Sequence, residues 1–410
     1  MTEAPARIRL AVVSPFLDKR HGTERAVVEW LSHLPDRFDI HIYSQRVEQL
    51  DPSKYTLHKI PKLPGPHLLN FVWWIVANPF WRWFDSTFRN TRYDIVYSPG
   101  ANCLDADALS VHIVFAEYRD KVASQNRFSS NALRFWPVIL HRKLYYALAA
   151  AIERRAYTDR DTQLILYARK TGEEITRHYG RPGPFPILYL GIDHVTFNLQ
   201  RRNRLRDNAR RTLAIPDGQF MLLLIGNDWR NKGVPVLLHA LAQLPHLNVA
   251  LCVVSTEDIS SCWDLISAQG LERRVRFFSP RCDVDFYYAA ADAYVGPSFE
   301  DTFALPPAEA MACGLPVIVS SANGTSEIIT DGRDGLVLQD AQDGTTLASM
   351  IRRLIEDPPF REALGLNAAE TMLRFTWERN GKDLATIFES ILARKKGNPL
   401  QTLAPESQTR

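Results

Sequence analysis

Short apolar, largely β-branched runs alternate along this chain with longer stretches whose apolar positions recur at helical spacing. The run Ile8 to Val13 is followed by a helical pattern from Thr23 to Leu34 and a second run from Phe38 to Tyr43, which is a βαβ opening. Tyr93 to Tyr97 and Gln163 to Tyr167 extend the series and predict a parallel sheet wrapped by helices. The alternation restarts after the arginine-rich stretch Arg201 to Arg211. Runs at Phe220 to Ile225, Leu247 to Val254, Val275 to Phe278, Ala293 to Val295 and Pro316 to Ser320 predict a second doubly wound sheet. The expected architecture is α/β, with two Rossmann-like doubly wound domains, 1–198 and 199–376, facing across a cleft. A helix over 377–394 is expected to cross back to the first domain, ahead of a disordered polar tail at 395–410. No internal repeat is found.

Composition narrows the chemistry. With 410 residues, 46% hydrophobic and 23% charged, the chain has globular composition, long enough for two sizeable cores. A formal net charge of +3 gives no ground for a nucleic-acid partner. The five cysteines are scattered and form no CxxC pair, which speaks against a disulfide framework or zinc site and for a reducing, cytoplasmic setting. The N-terminal apolar segment is too short for a secretory signal, and no run reaches the length of a spanning helix.

The densest candidate chemistry lies in Tyr294 to Val319, YVGPSFEDTFALPPAEAMACGLPVIV, which reads as strand, loop, helix, glycine stop and strand. Gly314 caps the expected helix, and Pro316 prevents its continuation. The backbone amides of Phe303, Ala304 and Leu305 fall at the helix N-terminus, where unpaired donors and the helix dipole favour an anion such as a diphosphate. Asp301 and Glu309 flank that point with seven residues between them. Taken singly, the first also reads as a solvated loop acid and the second as an acid suited to an early helical turn. In LLLIGNDWRNKGVPVLLHAL a strand ends at Ile225, Gly226 turns the chain, and a helix begins near Val234. Arg230 and Lys232 therefore sit in the connecting loop, either as a solvated basic loop or as cations for a departing diphosphate.

The match F-A-L-P-x-x-E-A-M-A-C-G-x-P-V resembles the E-x7-E region of retaining GT-B glycosyltransferases of family four, the glycosyl transferases group 1, with aspartate for the first glutamate. Glu300 precedes Asp301, and the spacing to Glu309 favours Asp301 as the first acid. The resemblance implies that Glu309 binds the donor ribose and that Asp301 lies near the transferred sugar. The family's G-R-x(4)-K-G pattern falls on Gly226 to Gly233, with Lys232 in place and Asn227 where the family has arginine; Arg230 is the neighbouring guanidinium. SPFLDKRHGTERAVVEWL resembles the loop after the first strand that approaches the donor, with the single glycine Gly22. His112 falls where the family has a histidine contacting the donor sugar, and a structural histidine is the other reading. SPRCDVDFYYAAADAYVGPS resembles the part holding the nucleobase, with Ser279, Pro280 and Arg281 lining it. ILYLGIDHVTF and FTWERNGKDLATIF resemble the interdomain segment and the closing helix, although Leu190 replaces the family's asparagine.

The resemblance makes 1–198 the acceptor side and 199–376 the donor side. It implies transfer of a hexose from a UDP- or GDP-sugar, with retention, to a glycan or lipid-linked glycan of cell-surface polysaccharide or lipopolysaccharide synthesis. No cofactor is expected and, lacking a DxD-type cluster, no metal. The nearest other readings are a nucleotide-sugar epimerase and a non-catalytic sugar-nucleotide-binding protein of the same fold. FVWWIVANPFWRWF at 71–84, and the region from Tyr118 to Arg160 with Arg134, Phe135, Trp136, Arg142, Lys143, Tyr145, Tyr146, Arg154 and Arg155, read either as peripheral membrane contacts at the inner face or as core helices with a solvated face.

Overall fold

The computed structural model describes residues 7–19, 22–125, 136–257 and 260–397. Arg134, Phe135 and the tail from 398 onward lie outside the described residues, as do the side chains of Trp136 and Arg142. The chain divides into two compact units, Met1–Gly191 with Trp377–Arg410, and Ile192–Thr376.

The first unit holds β1 (Ile8–Val13), β2 (Phe16–Leu17), β3 (Phe38–Ser44), β4 (Arg46–Val47), β5 (Thr56–Lys59), β6 (Ile95–Pro99), β7 (Ala108–Val111) and β8 (Gln163–Leu166). Six of these form a sheet of order β5-β3-β1-β6-β7-β8, parallel throughout; β2 and β4 pair separately. Sequence periodicity did not predict β5 or β7. Thr56–Lys59 is a polar edge strand, hydrogen-bonded on one side only to β3, so it carries no apolar run. Ala108–Val111 is a short buried strand closed off by the polar stretch around it. The run at 71–84 lies inside a 22-residue helix, His67–Phe88, with Pro79 in its interior. Pro79 brings no N–H to the carbonyl of Ile75, and the Asn78 side-chain amide turns back onto that turn, 2.8 Å from the Trp74 carbonyl oxygen and 3.5 Å from that of Ile75.

Helix Trp377–Lys395 belongs to this unit. It buries Trp377, Leu384, Ala385, Phe388 and Ile391, and packs along helix Gly22–His33. Gly381 is required at that crossing, because a Cβ there would lie 2.3 Å from the carbonyl oxygen of His33. Phe388 meets Phe38 and Tyr97 edge to face.

The second unit holds β9 (Phe220–Ile225), β10 (Val249–Val254), β11 (Val275–Phe278), β12 (Ala293–Gly296), β13 (Val317–Ser320) and β14 (Leu336–Leu338) in the parallel order β11-β10-β9-β12-β13-β14. Its central strands FMLLLI and VALCVV are apolar throughout because helices cover both faces. The unit begins at Ile192, earlier than the boundary expected at 199. The reason is local: the Ile192 amide donates to the Phe375 carbonyl at 3.1 Å, Phe197 is buried edge-on against Tyr288, and Asn198 caps helix Leu199–Thr212 by accepting from the Arg201 amide at 2.8 Å. In both sheets the strand order reverses beside the first strand, between β1 and β6 and between β9 and β12. The loops after those strands are where open α/β sheets bind ligands.

Candidate functional site

In the second unit the loop after β9 and the loop after β12 meet at the reversal point. Gly226 and Gly233 bound the first loop and both have positive φ, +153° and +77°. A Cβ on Gly233 would lie 2.1 Å from the Pro297 carbonyl oxygen, so only glycine lets the two loops approach this closely. Asn231 ties them together. Its Nδ2 donates to the Glu300 carbonyl at 2.8 Å, its Oδ1 accepts from the Glu300 amide at 3.1 Å, and its own carbonyl accepts from the Phe299 amide at 2.7 Å. Sequence reasoning passed over Asn231, although its place next to Lys232 was a signal.

With the loops fixed, Lys232 stretches over Gly226, where a Cβ would lie 2.9 Å from its Cε, and its ammonium forms an ion pair with Asp301. Both side chains are about one-fifth exposed. The pair therefore sits at the surface end of the sheet yet is half-desolvated, where a charge-assisted bond is strong and an entering anion meets a positioned cation. Backbone pairing holds Asp301 as well: its amide donates to the Ala322 carbonyl, and its carbonyl accepts from Gly324 at 2.9 Å. The neighbouring Glu300 is buried, and its backbone is taken up by Asn231.

Helix Leu305–Ala312 follows, with Ala304 as its N-cap. Of the three amides expected to face an anion, that of Ala304 is turned inward, 3.1 Å from Thr325 Oγ1 and 3.4 Å from Asn323 Oδ1. Pro306 and Pro307 carry no N–H, so Leu305 alone supplies an amide among the first three helical positions. The helix closes as expected: the Leu315 amide donates to Ala310 at 2.9 Å and that of Gly314, φ +70°, to Met311 at 2.8 Å, a Schellman cap. Glu309 is nearly buried, with 3% exposure, and its Oε2 accepts from the Tyr288 hydroxyl at 2.7 Å. Burial pushes the Tyr288 hydroxyl well above its usual pKa, so it stays protonated and donates.

The remaining expected donor contacts of this unit lie around that centre. Asn227 is occupied within the fold: its Oδ1 accepts from the Thr256 amide and from the Ser255 and Thr256 hydroxyls at 2.9–3.0 Å. This anchors the loop after β10, and the carboxamide brings no positive charge to the position. Arg230 is exposed, its guanidinium 5.0 Å from the ring centre of Trp229. Ser279, Pro280 and Arg281 follow β11 on an exposed loop. The Ser279 carbonyl accepts from the Tyr287 hydroxyl at 2.7 Å, and Arg281 grips Asp283 with two bonds of 2.8 and 2.9 Å.

In the first unit, Gly22 opens helix Gly22–His33, one residue ahead of the expected helical pattern. A Cβ on Gly22 would meet nothing within 4 Å, which leaves open space over that backbone. His112 follows β7. Its Nε2 lies 3.0 Å from Ser110 Oγ and 3.1 Å from the Tyr167 hydroxyl, and its ring leans on that of Tyr167. Burial pushes its pKa down to about 3, so the imidazole is neutral. A neutral ring held by hydroxyls exchanges hydrogen bonds and does not serve as a charged acid.

Known proteins share parts of this chain and its fold. Residues 206–371 match the family described as Glycosyl transferases group 1. The D-inositol 3-phosphate glycosyltransferase of Corynebacterium kroppenstedtii is 29% identical over 247 residues, 57% of this chain and 54% of that protein. The lipopolysaccharide glucosyltransferase WaaG of Escherichia coli is 28% identical over 277 residues, 66% of this chain and 71% of WaaG. The chain thus spans about half the length of the first of these curated relatives and a larger share of WaaG. A solved structure of WaaG, a glycosyltransferase involved in lipopolysaccharide biosynthesis, has a TM-score of 0.75 at 24% identity, covering 92% of this chain and 99% of that one, and shows the shared GT-B fold. It is through its second unit, where the family pattern and the loop pair at the sheet reversal coincide, that the chain is similar to the glycosyl transferases group 1.

Proposed function

We propose that the protein is a glycosyltransferase that takes a hexose from a UDP- or GDP-sugar and passes it to a glycan or lipid-linked glycan, with retention and without a metal ion. The observation that carries this reading is Lys232 paired with Asp301 on two interlocked loops at the sheet reversal, beside the start of helix Leu305–Ala312. The donor diphosphate meets Lys232, the exposed guanidinium of Arg230 and the Leu305 amide. As it enters, the ammonium exchanges Asp301 for phosphate oxygens and Asp301 is released toward the sugar. The bond from the anomeric carbon to the phosphate oxygen breaks as the acceptor oxygen bonds to that carbon on the same face, and the acceptor's proton passes to the departing phosphate. Lys232 and Arg230 offset the charge gained by the leaving group. Glu309, oriented by Tyr288, is the ribose contact, and His112 is a neutral partner for a sugar hydroxyl.

The test is turnover of a panel of UDP- and GDP-sugars in EDTA, with and without glycan acceptors, comparing the native chain with Glu309→Ala and Lys232→Ala. The expected result is acceptor-dependent nucleotide release that survives EDTA and collapses in both variants. Donor consumption without an acceptor would point instead to an epimerase or hydrolase, and loss of turnover in EDTA would remove the metal-free step.

A further inference from the structure

One face of helix His67–Phe88 has no place in that chemistry. Leu69, Val72, Val76, Phe80, Trp83 and Phe84 recur at three- and four-residue spacing and are 38–61% exposed. They form an apolar stripe about 22 Å long. The opposite face is buried and mixed: Trp74 and Ala77 join the apolar core of the unit, and Asn78, Arg82 and Asp85 are each under 8% exposed, with Arg82 bonded to Asp105 at 2.6 Å and Asp85 accepting from the Tyr43 hydroxyl at 2.7 Å. The helix is therefore fixed to its unit by one face and still turns a second, apolar face outward, where a surface helix of a globular protein carries polar residues.

We propose that this stripe is a docking surface for an anionic lipid bilayer, on which the first unit rests with helix His67–Phe88 in the plane of the headgroups. Charge selects the occupant. From Leu57 to Arg92 the lone carboxylate, Asp85, is buried, whereas Lys59, Lys62, Arg89 and Arg92 are exposed beyond the two ends of the stripe. An apolar strip with tryptophan and phenylalanine, framed by cations, matches the boundary between acyl chains and negative headgroups. A second copy of the chain fits less well, because a two-fold pairing of this face sets one basic end against another. No helix among the described residues is long and apolar enough to cross a membrane, so the contact is one of lying on the surface.

The test uses the whole protein without donor or acceptor, so its outcome is separate from that of the transferase assay. Vesicles of phosphatidylcholine, with and without phosphatidylglycerol, are sedimented with the native protein and with the double variant Val76→Glu, Trp83→Glu. Light scattering and thermal unfolding are run in parallel. The expected result is binding to the anionic vesicles that weakens with salt and falls at least about ten-fold in the double variant, whose unfolding temperature is unchanged. Equal binding of the two proteins, equal binding to the uncharged vesicles, or a dimer in solution that the double variant dissociates would each overturn the proposal.

Discussion

At the scale of single residues, the site is made by what its neighbours deny or permit. Lys232 reaches Asp301 because Gly226 has no side chain in the way, and Asp301 is held by backbone pairing to the segment that follows β13. Lys232→Ala is expected to lower kcat/KM of the proposed transfer by about 10²-fold or more, the usual cost of losing a fixed cation from a developing negative charge, measured with saturating acceptor. A second expectation concerns Glu153, which lies buried in the first unit, accepts from the Phe115 amide at 3.0 Å and is bonded by the Tyr179 hydroxyl. Burial raises its pKa to about 7. The folded form thus holds a proton that the unfolded chain gives up at lower pH. Its contribution to stability is full below the ordinary carboxylate range and is lost as pH rises through 7. Denaturant unfolding of Glu153→Gln should consequently depend less on pH between about 5 and 8 than that of the native chain. An equal slope in both would rule this carboxyl out as the source.

At the scale of elements, the two loops act as one piece. Asn231 carries three of the bonds that join them, two through its side chain. Removing both in Asn231→Ala leaves the backbone of Glu300 unpaired, at a cost of about 1–3 kcal/mol. Because Asn231 touches neither reacting group, the expected kinetic effect is a fall in kcat from misplaced Lys232 and Asp301, larger than the change in the dissociation constant for free nucleotide. An unchanged kcat would show that the loops keep their register without it. Much at this scale was legible beforehand. The apolar runs marked β1, β9 and β11 to the residue, and the glycine-proline stop marked the end of helix Leu305–Ala312. Among the strands the pattern hid were β5, an edge strand with polar residues, β7, four residues long, and β14, three residues long in a turn-rich stretch. In the site, Lys232, Asp301 and Glu309 were legible from spacing and resemblance. Asn227 taking up the Ser255 and Thr256 groups, and Ala304 turning its amide toward Thr325, depend on partners distant in sequence that no local pattern names.

At the scale of the whole molecule, the first unit is discontinuous: its last helix, Trp377–Lys395, follows the entire second unit in the chain. Deleting 377 onward uncovers the faces of Phe38 and Tyr97 that Phe388 fills, along with helix Gly22–His33. A chain ended at Thr376 is expected to lose the unfolding transition of its first unit, or to lower it by several kcal/mol, while the second keeps its own; calorimetry of the two forms separates them. Gly381→Val, which drives a side chain into His33, should do the same more mildly.

That discontinuity also orders events in time. A chain emerging from the ribosome presents the first sheet early, with one flank bare, and has to wait for the whole second unit to be made before the covering helix appears. The second unit, contiguous in sequence, is free to finish first. During that interval the bare flank of the first sheet is what a chaperone would recognise, and synthesis slowed before codon 377 would prolong the exposure.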